Sequence, residues 1–200
     1  MKKIPVLLIY SRLLIGIVIF ICSLLHINHY SVIAVVLFSL GLLTDIFDGI
    51  IARRINVSTE KLRRLDSTID QAFFLLVAAA TYLDARSFFY NNRVALFILL
   101  GIEALAYVIC FLKFRKEIAT HTISSKIWTL FLFATIIQLM CFKNAFVLFQ
   151  VCFYIGIITR LEIIAIIFVL RNWTNDVPSI YQAVLLRQGK PIKRHKLFNG

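Results

Sequence analysis

The stretch of residues 45–70 reads DIFDGIIARRINVSTEKLRRLDSTID and connects two hydrophobic segments of the chain. It carries four aspartates close to those segments, namely Asp45, Asp48, Asp66 and Asp70. A carboxylate near hydrocarbon is unfavourable unless a cation holds it. Four gathered carboxylates therefore predict a metal site, and the arginines around them indicate phosphate chemistry.

The rest of the chain is too apolar for a soluble domain. Of its 200 residues 60% are hydrophobic and 16% charged, and the mean hydropathy is +0.88. Because the apolar residues form long runs, we predict an all-α polytopic membrane protein. Residues 1–171 are expected to form a bundle of six transmembrane helices, and residues 172–200 a basic cytoplasmic tail, partly disordered and close to anionic lipid. The predicted spans are about 6–25, 31–51, 66–84, 94–112, 127–142 and 145–170.

The distribution of basic residues predicts the orientation. Seventeen lysines and arginines fall at the two termini and in the second and fourth connections, against three in the other connections. This bias places both termini and those connections in the cytoplasm, as in a bacterial inner membrane. The net charge of +12 follows from this flanking pattern, so we expect membrane lipids as partners and no nucleic acid.

Helical spacing brings the four carboxylates together. Asp45 and Asp48 stand at i and i+3, and Asp66 and Asp70 at i and i+4, so each pair shares one helix face. Asp45 lies roughly 10 Å above the cytoplasmic end of its segment, with Asp48 nearer the surface. Helices joined by a short connection are expected to be neighbours. We therefore expect one shallow cavity that opens to the cytoplasm and contains all four.

The donor set predicts which metal such a cavity would bind. Oxygen ligands alone favour Mg²⁺, Mn²⁺ or Ca²⁺ over zinc, and four negative charges are enough for two divalent ions. Two ions suit an in-line displacement at phosphorus, and a remaining carboxylate oxygen can take a proton from an attacking alcohol. The alternative, in which the carboxylates only pair with the arginines of the connection, fits poorly for Asp45, which lies well inside its segment.

The same residues carry a family resemblance. Their spacing resembles the signature D-x2-D-G-x2-A-R-x8-G-x3-D-x3-D of the CDP-alcohol phosphotransferases, and seven of the eight fixed positions match over 26 residues. The six-segment layout is similar to that family across nearly the whole chain. The departure is Leu62, where the family has glycine, and a leucine there would narrow the nucleotide pocket or alter the approach of the lipid.

The resemblance implies a role for each matching position. Asp70 would be the catalytic base toward the acceptor hydroxyl and would also touch a metal. The metal ligands, for two Mg²⁺ or Mn²⁺ ions, would be Asp45, Asp48, Asp66 and Asp70. The nucleotide-binding positions would be Gly49, Ala52 and Arg53, where the small residues also allow close approach. Members of the family are commonly homodimers, so a homodimer is expected.

Three basic residues outside the signature are candidates for substrate contact. Lys126 begins the fifth span and loosely resembles a lysine of the family, so it could bind a substrate phosphate. Arg160 lies near the middle of the last span, where it would either contact a phosphate or pair with an acidic residue of another helix. Arg12 only weakly resembles an arginine in the family's first helix, and snorkelling to the interface explains it nearly as well.

The resulting hypothesis is a membrane enzyme of phospholipid synthesis. It would transfer a phosphatidyl group from CDP-diacylglycerol to a small polar alcohol and release CMP. An alternative within the family transfers a phospho-alcohol from a soluble CDP-alcohol to a lipid alcohol. A divalent-cation transporter is the alternative from another class, but the aspartate cluster does not recur in the second half and is too shallow for a midplane transport site.

Overall fold

The computed structural model describes residues 4–54, 60–116, 118 and 122–191. Within these ranges the chain is helical and contains no strand, which confirms the all-α class. The helices are α1 (Ile4–Leu24), α2 (Tyr30–Arg54), α3 (Glu60–Asp84), α4 (Arg86–Asn91), α5 (Arg93–Phe114), α6 (Ile123–Phe142), α7 (Phe146–Val169) and α8 (Ile180–Arg187).

Five of these helices are long and apolar enough to cross a membrane, so the protein is an integral multi-pass membrane protein. They are α1, α2, α5, α6 and α7. The third predicted span corresponds to α3, which has 25 residues but does not meet the same criterion of composition. Its sequence explains the difference, because charged residues crowd its first three turns and Asp84 ends it.

The first compact unit comprises residues 1–89 and 136–144, and in it α1 packs against both α2 and α3. Phe73 of α3 lies at its centre and is 2% exposed. Its ring rests on two glycines, since a Cβ on Gly41 would lie 2.4 Å from Phe73 Cζ and one on Gly16 would lie 3.0 Å from Cδ2. Phe38 of α2 adds a ring contact with a centroid distance of 5.8 Å. These contacts fix the heights of the three helices relative to one another.

The second compact unit comprises residues 90–135 and 145–200, and in it α7 packs against α5 and α8. Val177 and Ala183 are fully buried in a cluster with Ile166 and Leu170 at the end of α7. Part of the segment predicted as a partly disordered tail is therefore folded, because these apolar side chains have a surface to pack against. The remainder of that tail, residues 192–200, lies outside the described residues.

Candidate active site

The four signature aspartates lie in the first unit, two on α2 and two on α3. Carboxylate oxygens of Asp45, Asp48 and Asp66 all lie within 4.8 Å of one another. Asp48 is the most enclosed, with 3% of its side chain exposed, whereas Asp45, Asp66 and Asp70 are exposed by 40%, 32% and 31%. The cluster therefore has a closed side around Asp48 and an accessible side formed by the other three.

The guanidinium of Arg12 lies among these carboxylates. Its Nη1 is 3.0 Å from Asp45 Oδ1 and 3.2 Å from Asp66 Oδ1, and it also pairs with Asp70 Oδ1. Its Nη2 bonds to Asp48 Oδ2. Only 1% of the Arg12 side chain is exposed. All four aspartates therefore converge on one positive group.

The position of Arg12 corrects one expectation from the sequence. Snorkelling to the interface is wrong for this residue, because its side chain is buried inside the carboxylate cluster. The helices α2 and α3 do contact each other, through Phe73 and Phe38, and α1 packs against both of them and brings its arginine to their acidic faces. A signal was present in the sequence. A lone arginine in an apolar segment needs counter-charges, and these four aspartates are a large excess of negative charge.

The residues at this site fit divalent metal ions. All the donors are carboxylate oxygens, which Mg²⁺ and Mn²⁺ accept. Ligand oxygens of three of these carboxylates already lie within 4.8 Å of one another, so small side-chain adjustments would let them bind one ion. The guanidinium of Arg12 among the four carboxylates indicates that the cluster attracts cations. The formal charges of these five described side chains, four carboxylates and one guanidinium, sum to −3.

The proposed nucleotide positions continue the same helix. Gly49 is half-buried on α2, directly after Asp48, and α2 stays helical through Arg54. The backbone therefore keeps Gly49 and Ala52 near the face that carries Asp45. The side chains of Ala52 and Arg53 lie outside the described part of the chain, so their nucleotide contacts stay a prediction. Leu62, the departure from the signature, is half-buried in the first turn of α3.

Arg160 and Lys126 belong to the second unit. The Nε atom of Arg160 bonds to Glu103 of α5, and its guanidinium lies 4.3 Å from the ring centroid of Trp128. Arg160 is 12% exposed. Its bond to Glu103 is the ion pair between helices that the sequence left as one of two options. Lys126 is half-buried in the first turn of α6. A phosphate-binding role for either residue stays a prediction.

A family model described as CDP-alcohol phosphatidyltransferase matches residues 2–161. The matched range contains Arg12, all four aspartates and helices α1 to α6. Comparisons with curated proteins and with solved structures gave no significant match. Since the family model covers most of the chain, the resemblance carried by the signature is confirmed. The chain belongs to the CDP-alcohol phosphatidyltransferase family and is a transferase of substituted phosphate groups.

Proposed function

We propose that this transferase moves a phosphatidyl group from CDP-diacylglycerol to a small polar alcohol and releases CMP. The observation that carries the proposal is the convergence of Asp45, Asp48, Asp66 and Asp70 on one cationic position. The family uses CDP-alcohol substrates, whose pyrophosphate needs concentrated positive charge, and these carboxylates are the groups that could hold it there.

The surface beside the cluster favours a lipid substrate. Ile46 and Phe47 lie between Asp45 and Asp48 in the sequence of α2 and are 48% and 52% exposed. They belong to a helix that is apolar enough to cross a membrane, so this face can lie against lipid. A donor with two acyl chains could then remain in the bilayer while its headgroup reaches the carboxylates. A small polar acceptor would enter from the accessible side.

In the proposed reaction one carboxylate accepts the proton of the acceptor hydroxyl. The acceptor oxygen forms a bond to the phosphorus that carries the diacylglycerol, and the bond from that phosphorus to the bridging oxygen of CMP breaks. Asp70 takes the hydroxyl proton, which keeps the attacking oxygen nucleophilic. Asp45, Asp48, Asp66 and Asp70 would hold two Mg²⁺ or Mn²⁺ ions, which supply charge neutralisation for the pyrophosphate.

Other residues would bind the rest of the substrates. Gly49, Ala52 and Arg53 would line the cytidine end, where two small side chains leave room beside α2. Lys126 and Arg160 are the candidates for a phosphate on the acceptor, and a phosphorylated alcohol would suit these cations. We propose that the active enzyme is a homodimer, as is common in the family.

We further propose that α3 crosses the membrane in addition to the five other spans. Six spans in total would place both termini of the protein in the cytoplasm. Helix α3 extends roughly 37 Å over its 25 residues, enough to cross a bilayer. It packs against the apolar α1, and its aspartates Asp66 and Asp70 are turned to Arg12 rather than to lipid. Six spans also agree with the excess of basic residues at the termini. The site would then face the cytoplasm of a bacterial inner membrane.

The test is release of CMP by the purified protein in detergent. With Mn²⁺ and CDP-diacylglycerol, we expect release that depends on one of a panel of alcohols, with and without phosphate groups, and that stops in EDTA. A second arm offers a soluble CDP-alcohol with diacylglycerol, and activity in that arm alone would overturn the proposed direction. Absence of CMP release in both arms would overturn the proposed function.

A pair of variants on one helix tests the base. Asp70→Asn should lower kcat by at least about a hundredfold, because a carboxamide cannot accept the hydroxyl proton. Asp84→Asn is the matched control, since Asp84 ends the same helix and pairs with Lys143 away from the cluster. Full activity of Asp70→Asn would reject the assigned base.

A further inference from the structure

We propose that Arg12 is a built-in cation that holds the four carboxylates together in the metal-free protein and competes with divalent ions for them. The inference concerns the same site and rests on the proposed metal-dependent function. It assigns to a residue of α1 a role that lies outside the aspartate signature, namely control of metal affinity.

The hydrogen bonds of Arg12 show that charge, more than matched geometry, holds it in place. Its Nη1 carries two protons but contacts three carboxylates, those of Asp45, Asp66 and Asp70. Its Nε is buried and has no hydrogen-bond partner among the described residues. An arginine in a well-matched site uses its planar fork for paired bonds. Here Nη1 is crowded by three carboxylates and Nε has no partner among the described residues. Such a mismatch is expected of a cation that is attracted by excess negative charge.

Arg12 and a metal ion would use the same oxygens. The oxygens of Asp45, Asp48 and Asp66 that could hold an ion lie within 4.8 Å of one another. Each of these carboxylates is already in contact with Nη1 or Nη2. An ion that binds all three at about 2.0–2.6 Å must lie close to the guanidinium. Because like charges repel strongly in an enclosed site, metal binding requires Arg12 to withdraw.

The exposure of the side chains indicates that Arg12 and divalent ions would reach the carboxylates by different routes. Arg12 comes from the interior side, on α1, and is 1% exposed. Asp45, Asp66 and Asp70 each expose about a third or more of their side chains. Ions can therefore arrive from the accessible side while the tethered arginine retreats. Without ions, the charge of Arg12 offsets part of the repulsion among the four carboxylates and so keeps α2 and α3 together.

The test compares Arg12→Met with Arg160→Met. Methionine is unbranched like the apolar part of the arginine side chain but carries no charge, and Arg160 is a second enclosed arginine whose acidic partner is Glu103, outside the cluster. Binding of Mn²⁺ alone is measured by electron paramagnetic resonance of the free ion. Thermal unfolding is followed in EDTA and in saturating Mn²⁺.

We expect Arg12→Met to bind Mn²⁺ at least about tenfold more tightly than the wild type, because a positive charge in contact with the ligands is gone. In EDTA it should unfold at a lower temperature than the wild type, and Mn²⁺ should raise its midpoint by more. Arg160→Met should lose stability and keep the wild-type Mn²⁺ affinity. Arg12→Lys should bind Mn²⁺ with intermediate affinity, since it keeps the charge but contacts fewer carboxylates.

Equal or weaker Mn²⁺ binding by Arg12→Met would overturn the proposal. Failure of that variant to fold even in saturating Mn²⁺ would also overturn it, because the ions should replace the missing charge. The proposed function fails separately, through lack of metal-dependent CMP release by the wild type. A gain of affinity in Arg12→Met would then still support the competition.

Discussion

The substitution Gly41→Ala should separate the two acidic helices. A Cβ at this position would lie 2.4 Å from Cζ of Phe73 and 3.0 Å from Cε2, well inside contact distance. The ring cannot easily move aside, because it is 2% exposed and also packs against Gly16 of α1 and Phe38 of α2. The backbone of α2 must therefore shift away from α3, and its carboxylates shift with it.

The size of the effect follows from overpacking. Forcing an additional methyl group into a filled core typically costs about 1–3 kcal/mol. Alanine in place of glycine within a helix contributes about 0.5–1 kcal/mol in the opposite direction. We therefore expect a net loss of about 0–2.5 kcal/mol in the free energy of unfolding. The shift of α2 should also weaken Mn²⁺ binding, because Asp45 and Asp48 move relative to Asp66.

The matched control is Gly101→Ala. Gly101 is a helical glycine of α5, and a Cβ there would meet nothing within 4 Å. This variant should unfold at the wild-type temperature or slightly above it and keep wild-type activity. Thermal unfolding, Mn²⁺ binding and CMP release are measured on both. If Gly41→Ala behaved like Gly101→Ala in all three, the packing of α2 on Phe73 would not be what positions the site.

Three further predictions concern other parts of the chain. Glu103→Gln should lower stability by about 1–3 kcal/mol, because it leaves Arg160 without its acidic partner, and an unchanged unfolding temperature would contradict that pairing. Ala183→Asp should release α8 from α7, since Ala183 is fully buried, and trypsin should then cleave near Arg187 in the variant but not in the wild type. Restoring the glycine of the signature with Leu62→Gly should change KM for the CDP substrate, and unchanged kinetics would make this departure incidental.

Much of the fold could be predicted from the sequence, because apolar runs and basic flanks obey simple rules of the bilayer. The six long helices correspond to the predicted segments to within a few residues, except at α3, whose predicted start at 66 omits the charged first turns from Glu60. Hydropathy cannot identify such turns as helical, since they carry no apolar signal. The short helices α4 and α8 were missed because six and eight residues are too few to form an apolar run of span length.

The site could be predicted only in part. The i, i+3 and i, i+4 spacings fix which faces Asp45, Asp48, Asp66 and Asp70 share, and these faces do meet. The spacing within α2 and α3 says nothing about a third helix, so the place of Arg12 could not be read from it. That place depends on the packing of Phe73 against glycines of α1 and α2, which is a property of the assembled helices.

The central claim is that these four carboxylates hold the divalent ions of a phosphatidyl transfer. The most direct measurement is an anomalous-scattering map at the manganese edge, from crystals grown with Mn²⁺ and CDP-diacylglycerol. The account predicts two manganese peaks in contact with Asp45, Asp48, Asp66 and Asp70, with the pyrophosphate beside them. Manganese bound elsewhere, or no manganese peak in a crystal that contains the nucleotide, would contradict it.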